Sequence, residues 1–345
     1  MTTTVLNPAA VLTRRQVLTG AGALGLLSML PAPVWGQEPG AFPVTIEHRF
    51  GATTIPKAPE RVVSVGLTEQ DALLALGVVP IAINDWFGFP TGVGPWATDE
   101  LGGATIEVLS SPDGYDFERI AALRPDLIIG IHYGPSEEDD YTKLSQIAPT
   151  VVTPREFATV NTPWQEMTRL IGRALGREEQ AAELVAQVEG LFADARAEHP
   201  EFEGATAVPA WYGGGTFGFY GPEELRGRFL TSLGFQFTPK AAALVAPDET
   251  VPDLSEEQLE LLDGDVIVWF SYSPENQKEI EDSPVYQSLE VAREGRALFV
   301  GNGDQTDLAA ALSFSSVLSL PFAIDGLVPL LAAALAGEDT SEAAS

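Results

Sequence analysis

Between Pro163 and Pro200 the chain runs without a proline, and apolar residues return at helical spacing throughout. Met167, Leu170, Ile171, Ala174 and Leu175 fall on one face of a first helix; Leu184, Val185, Val188, Leu191 and Phe192 mark a second. Gly176 is placed to end the first, because glycine favours helix ends, and Glu178 and Glu179 give the second an acidic first turn. A second helix of about 22 residues, rising about 1.5 Å per residue, would be roughly 33 Å long. A rod of that length can brace two domains.

The flanks of this stretch carry a repeat. Phe117-Glu118-Arg119-Ile120-Ala121-Ala122-Leu123-Arg124-Pro125-Asp126-Leu127-Ile128-Ile129 precedes it, and Glu256-Glu257-Gln258-Leu259-Glu260-Leu261-Leu262-Asp263-Gly264-Asp265-Val266-Ile267-Val268 follows it. Aligned without gaps, Glu118 meets Glu257, Ile120 meets Leu259, Leu123 meets Leu262 and Asp126 meets Asp265. Both read as a short helix, a tight turn and a buried strand of the parallel type. The expected fold class is therefore α/β, with two Rossmann-like lobes joined by a long helical backbone that acts as a rigid hinge.

A length of 345 residues with 45% hydrophobic content suits two such lobes with cores of their own. The sequence contains no cysteine, which excludes disulfides, thiolate metal sites, cysteine nucleophiles and lipid attachment through a processed cysteine. Residues 1–36 read as an address. Thr13-Arg14-Arg15-Gln16-Val17-Leu18 resembles the twin-arginine export motif, and the apolar run from Ala21 to Leu30 is too short to span a bilayer comfortably. A cleavage site is expected after Gly36, although Val34-Trp35-Gly36 is a poor small-x-small pattern. Loss of this leader would take the formal net charge from −30 to −32, since Arg14 and Arg15 are its charged residues. Such a surface repels nucleic acid and anionic membranes at long range.

The expected organisation is a twin-arginine signal peptide over 1–36, an N-terminal α/β lobe over 37–158, a helical connector over 159–200, a C-terminal α/β lobe over 201–337 and a disordered tail over 338–345. In the first lobe, Val44 to Pro56 reads as a hairpin. Arg61 to Gly66 reads as a buried strand, and a helix then opens with Thr68 as N-cap and Asp71 at the capping-box position. Val79 to Ile83 is the next strand, residues 88–116 are expected to be loops, and Leu127 to Ile131 and Ala148 to Thr153 complete the sheet. In the second lobe, Thr206 to Trp211, Val266 to Phe270 and Arg296 to Val300 read as strands. Gly213-Gly214-Gly215 reads as a loop, Glu223 to Leu233 as a helix, and Leu308 to Ala336 as a helical finish interrupted at Pro321 and Pro329.

Three segments carry a family likeness. They are Arg61-Val62-Val63-Ser64-Val65-Gly66 with Asp71-Ala72-Leu73-Leu74-Ala75-Leu76-Gly77-Val78, then Ile171-Gly172-Arg173-Ala174-Leu175-Gly176-Arg177-Glu178, and Leu320-Pro321-Phe322-Ala323-Ile324-Asp325-Gly326-Leu327-Val328-Pro329. Their order and spacing resemble the ferric-siderophore family of substrate-binding proteins of ABC importers, which also includes vitamin B12 and haem binders. The resemblance covers roughly residues 44–335. It implies a ligand held between two lobes with little lobe movement, no enzymatic turnover and no cofactor. The implied partners are an Fe(III)-siderophore complex or another iron chelate, an ABC transporter permease and, from the leader, the twin-arginine translocation machinery. The protein is expected to be an exported monomer outside the cytoplasmic membrane, not anchored through a lipidated cysteine and with no nucleic-acid partner. It also implies that one glutamate on each lobe docks the permease; Glu118 and Glu257 occupy the matching places.

In open parallel sheets a ligand meets the carboxyl ends of the strands. Asn84-Asp85-Trp86-Phe87, His132-Tyr133 and Arg155 follow strands of the first lobe. Tyr212, then Phe217 and Tyr220, Ser271-Tyr272, and Asn302 with Asp304 do so in the second. Aromatic faces bury large flat chelates, and guanidinium donors hold anionic ones. The candidate ligand contacts are thus Trp86, Tyr133, Arg155, Tyr212, Tyr220, Arg226, Arg228 and Tyr272. Arg119 and Arg124 are expected to face solvent. His132 with Tyr133 would be the pair to consider for haem. Enzyme readings find little: Gly213-Gly214-Gly215-Thr216 lacks the lysine of a phosphate-binding loop, Gly301-Asn302-Gly303 is too short for a dinucleotide fingerprint, and no Gly-x-Ser-x-Gly elbow occurs. The three histidines, His48, His132 and His199, lie far apart, which argues against capture of a bare metal ion.

Overall fold

A computed structural model describes residues 40–109, 114–158, 160–245 and 252–338. The expected leader with Arg14 and Arg15, the last residues of the tail and the side chain of Asp304 lie outside what is described. The chain opens with an antiparallel hairpin, β1 (Val44–His48) and β2 (Gly51–Ile55). Then come β3 (Val62–Ser64), α1 (Glu69–Ala75), β4 (Ala82–Ile83), β5 (Glu107–Val108), α2 (Phe117–Ala122), β6 (Leu127–Gly130), α3 (Glu138–Ser145) and β7 (Thr150–Val152). These strands form a parallel sheet in the order β5-β4-β3-β6-β7. The chain steps outward from β3 in one direction and then returns to its other side. The crevice that a doubly wound sheet offers a ligand therefore opens where β3 and β6 end. Residues 88–116, expected to be loops, include a 3-10 helix (Pro95–Leu101) and edge strand β5.

The proline-free stretch forms α4 (Trp164–Leu175) and α5 (Glu178–Glu198), and Gly176 ends α4 in the left-handed conformation at φ +64°. The two pack as a hairpin: Gln165 Nε2 lies 3.5 Å from Glu189 Oε1, and a Cβ on Gly172 would fall 2.3 Å from that of Ala181. Near its start α5 holds the first half, where Arg177 and Gln180 donate to the carbonyls of Leu76 and Ala75 that α1 leaves unpaired. Near its end it holds the second half, with Phe192 edge-on to Phe229 at 5.5 Å and Arg196 donating to Ser232 O.

The second half contains β8 (Ala207–Gly213), β9 (Thr216–Phe219), α6 (Leu225–Ser232), α7 (Pro239–Ala242), β10 (Asp253–Leu254), β11 (Val266–Phe270), α8 (Pro274–Asp282), α9 (Glu290–Arg293), β12 (Ala297–Val300), α10 (Thr306–Phe314) and α11 (Ser319–Ala336). Its sheet runs β10-β9-β8-β11-β12, with β8, β11 and β12 parallel and β9 and β10 antiparallel. The glycine run proves to be the turn of the β8–β9 hairpin, in which Gly214 and Gly215 take φ of +60° and +84°. The helical finish breaks at Ser315 (φ +43°), not at the prolines. Pro321 sits in the first turn of α11, where no backbone bond needs its N–H, and Pro329 is accommodated inside the helix.

The repeat is structural in both halves. Residues 117–130 give α2 and β6; residues 256–270 give a 3-10 helix (Glu256–Leu262) and β11. In each half the matched aspartate braces the start of the neighbouring strand. Asp126 accepts from the N–H groups of Glu60 and Arg61, and Asp265 accepts from Thr206 N and Oγ1 at 2.8 Å each. One apolar core then runs from Ile46 and Leu127 through Ile171, Val185 and Phe192 to Phe229, Val266 and Leu331, so both sheets share the helical hairpin as their common wall.

Candidate functional site

The switch point of the first sheet is built around a buried carboxylate. Glu69 opens α1, and its side chain accepts from the backbone N–H groups of Ile131, of His132 at 2.7 Å and of Thr68 at 3.0 Å. Gly66 leaves the room for it, since a Cβ there would lie 2.0 Å from the Glu69 carboxylate. Burial pushes the Glu69 pKa up against the pull of those backbone donors. Thr68 does not cap the helix; its hydroxyl turns to Met167 Sδ at 3.7 Å. Asp71 is no capping-box residue either. Its Oδ2 accepts from Trp96 Nε1 at 2.7 Å and from Ser316 Oγ at 2.5 Å, joining α1 to the turn between α10 and α11.

Glu69 fixes the turn that carries His132 and Tyr133. Tyr133 sits at φ +51°, a conformation that costs a non-glycine residue on the order of 1–3 kcal/mol, and its side chain is 51% exposed. His132 is buried against it at 4.9 Å between ring centres, and its Nε2 has no hydrogen-bond partner. Burial, helped by the nearby Arg226 charge, pushes the His132 pKa down to about 3, so the imidazole is neutral at physiological pH.

After β4, Asp85 Oδ1 accepts from Phe87 N and Gly88 N, an Asx turn that presents Trp86 and Phe87. Trp86 lies 6.2 Å from His132, 6.0 Å from Tyr133 and 6.3 Å from Phe314, while Phe87 lies 6.0 Å from Phe314 and 6.5 Å from Tyr272. Phe314 and Tyr272 belong to the second half. Phe314, fully buried at the end of α10, also meets Phe89 and Trp96. An aromatic wall is thus assembled from both halves.

Opposite it, Arg226 on α6 is 6% exposed. Its guanidinium pairs with Glu224 at 2.5 Å, donates to Ser313 Oγ and stands 4.1 Å above the Tyr220 ring and 5.1 Å from that of Phe270. Burial opposes its charge, but Glu224 and the hydroxyls of Tyr220 and Tyr272 outweigh that and hold it above the usual guanidinium range. Burial pushes the phenol pKa values of Tyr133 and Tyr220 up, so both keep their protons.

The structure therefore gathers Trp86, Tyr133, Tyr220, Arg226 and Tyr272 at one site. Arg228 instead pairs with Glu223 beside a crevice lined by Trp164, Phe192 and Phe229. Tyr212 packs tilted against Phe217 at 4.6 Å between ring centres, and Arg155 is exposed past β7 without a partner among the described residues. Phe314, Glu224 and Glu69 belong to the site without having been singled out in sequence, and Asp71 was singled out only as a helix-start residue. Glu224, two residues before Arg226, was the one with a local signal. Glu118 and Glu257 are exposed, and neither is needed as a cap, because Asp116 caps α2 and Ser255 with Gln258 boxes the 3-10 helix. Among the described residues no group of three or more histidine, aspartate or glutamate side chains converges to hold a metal ion.

Comparison with known proteins places this geometry. The profile of the family described as periplasmic binding protein matches residues 62–301. A crystal structure of a periplasmic solute binding protein from Mycobacterium smegmatis is 37% identical with a TM-score of 0.75, covering 85% of this chain and 98% of that one. Streptococcus pneumoniae PiaA in complex with ferrichrome is 25% identical with a TM-score of 0.74, over 85% and 99% of the two chains. The probable siderophore-binding lipoprotein YfiY of Bacillus subtilis is 28% identical over 266 residues, 73% of this chain and 78% of that protein.

Proposed function

Because the chain belongs to the periplasmic binding protein family, we propose that it is the extracytoplasmic receptor of an ABC importer, capturing a ferric siderophore between its two halves and delivering it to the permease. The relatives whose names record a siderophore or ferrichrome support that ligand class. The observation that carries it is Arg226: a buried guanidinium packed over the rings of Tyr220 and Phe270, in a site whose aromatic wall is supplied by both halves. A bulky chelate buries against such rings while a few donors set its orientation. Trp86, Tyr133, Tyr220, Arg226 and Tyr272 are the contacts to this ligand, with Tyr212, Arg155 and Arg228 at greater remove. The division into lobes at 37–158 and 201–337, with 159–200 between them, follows the same reading.

Glu118 and Glu257, exposed at equivalent places in the repeat, are the residues that meet the permease. Arg14 and Arg15 direct export through the twin-arginine machinery, and the receptor works as a monomer with no cysteine to carry a lipid anchor. The test is quenching of tryptophan fluorescence, with Trp86 as reporter, on titration with ferric chelates, their iron-free forms, haem and cobalamin. Saturable quenching by a ferric chelate, lost in an Arg226→Ala, Glu224→Ala double variant that remains folded by circular dichroism, is expected. Quenching by haem or cobalamin alone would overturn the siderophore reading. Glu118→Ala with Glu257→Ala should abolish uptake and leave chelate affinity intact; lost affinity would end their assignment as docking residues.

A further inference from the structure

The charges of the cleft discriminate among ferric chelates. Among the described residues Arg226 is the one buried cation, and Glu224, itself buried, sits against it at 2.5 Å. A ligand above the guanidinium therefore meets a dipole in which most of the positive charge is already matched. The remaining groups add no cation. His132 is a neutral imidazole with a free Nε2, and Tyr133, Tyr220 and Tyr272 offer hydroxyls. Asp85 brings a further carboxylate beside Trp86. Arg228 is spoken for by Glu223, and Arg155 is exposed to solvent next to the exposed Glu156, where water and salt screen it. Around all of this lies a chain of formal net charge −30.

Ferric chelates differ sharply in charge. Three catecholates bring six negative charges to Fe(III) and leave a trianion, and citrate complexes are also anionic. Three hydroxamates bring three charges and leave a neutral complex, or a cationic one where the backbone carries an amine. A trianion approaching this cleft would be repelled at long range and find no unmatched cation inside. A neutral complex pays far less than a trianion to leave water for aromatic walls, and its hydroxamate oxygens accept from the Tyr220 and Arg226 donors.

Resting on the reading of this cleft as a ferric-chelate site, we propose that its ligand is a ferric trihydroxamate, neutral or cationic overall, and not a tricatecholate or a citrate complex. Titration of the whole protein with ferrichrome, ferrioxamine B, ferric enterobactin and ferric citrate tests this directly. The trihydroxamates should bind at least about tenfold more tightly than either anion, as expected when one elementary charge is left unmatched near a partly buried site. The affinity of ferrichrome, the neutral complex, should change by less than about twofold between roughly 50 mM and 500 mM salt. Tighter binding of enterobactin or citrate overturns the charge assignment and leaves the chelate receptor standing; binding of none of the four overturns both. Glu224→Gln, which keeps the shape of the side chain and uncovers the guanidinium, should raise the affinity for ferric enterobactin, both absolutely and relative to ferrichrome, by about tenfold or more. No gain for the anion in a folded Glu224→Gln protein refutes the proposal. Should that variant fail to fold, the salt dependence in the unaltered protein decides: a steep loss of ferrichrome affinity with salt refutes it equally.

Discussion

Replacement of Asp71 by asparagine should reveal a stability that runs against the usual pH trend. The carboxyl is fully buried; Oδ2 takes Trp96 Nε1 and Ser316 Oγ, and Oδ1 has no partner. Burial pushes its pKa from 3.8 up to about 7, more than the two donors pull it down. Between those values the folded protein keeps a proton that the unfolded chain releases. Its contribution is therefore fully present below about pH 4 and is lost as pH rises through about 7. The difference of roughly three units corresponds to about 4 kcal/mol. Asparagine mimics the neutral acid, keeping an oxygen for Trp96 and Ser316. Asp71→Asn should thus match the unaltered protein within about 1 kcal/mol at pH 4–5 and exceed its stability by up to about 4 kcal/mol at pH 8. Urea unfolding at the two pH values, read at constant slope against denaturant, measures this. An equal displacement at both pH values would show that Asp71 titrates like an ordinary carboxylate and refute the reasoning.

Two further outcomes are expected. His132, lowered to about 3, contributes stability that is present above its unfolded value of 6.5 and lost as pH falls toward 3, so His132→Asn should move the acid-unfolding midpoint to lower pH, as followed by circular dichroism. Asp126→Ala and Asp265→Ala should each cost about 0.5–1.5 kcal/mol, since water can replace the lost acceptor at these exposed bonds, and the double variant should lose their sum within about 0.5 kcal/mol, because each serves its own sheet; chemical denaturation checks the additivity.

The parts of the molecule that could be read from sequence are those whose forces are local. Helices α4 and α5 follow from apolar spacing and Gly176, and the repeat follows from a thirteen-residue pattern that meets the same needs twice. Trp86, Tyr133 and Tyr272 could be found because they follow strands. Phe314 could not: it lies within an apolar helix, and nothing nearby distinguishes the one phenylalanine that receives Trp86, Phe87, Phe89 and Trp96. Asp71 and Ser316 are 245 residues apart, so their hydrogen bond has no trace in local spacing, and Asp71 was read instead by the helix-start pattern it happens to fit. Likewise the glycine run announced a turn but not that the chain would double back as β9. Pro321 and Pro329 signalled breaks that do not occur: Pro321 falls in the first turn of α11, and the helix runs on through Pro329.

Helix α5 is fastened at its head to α1 and toward its tail to α6. In mechanical terms the two halves are jaws that share one bar, fastened to each of them by side-chain contacts near its two ends. Thermal motion can flex such a bar only slightly, so a ligand seated between the jaws is not freed by wide spontaneous opening. For a receptor of this build, work done on the jaws by whatever accepts the ligand would speed its release more than thermal opening does.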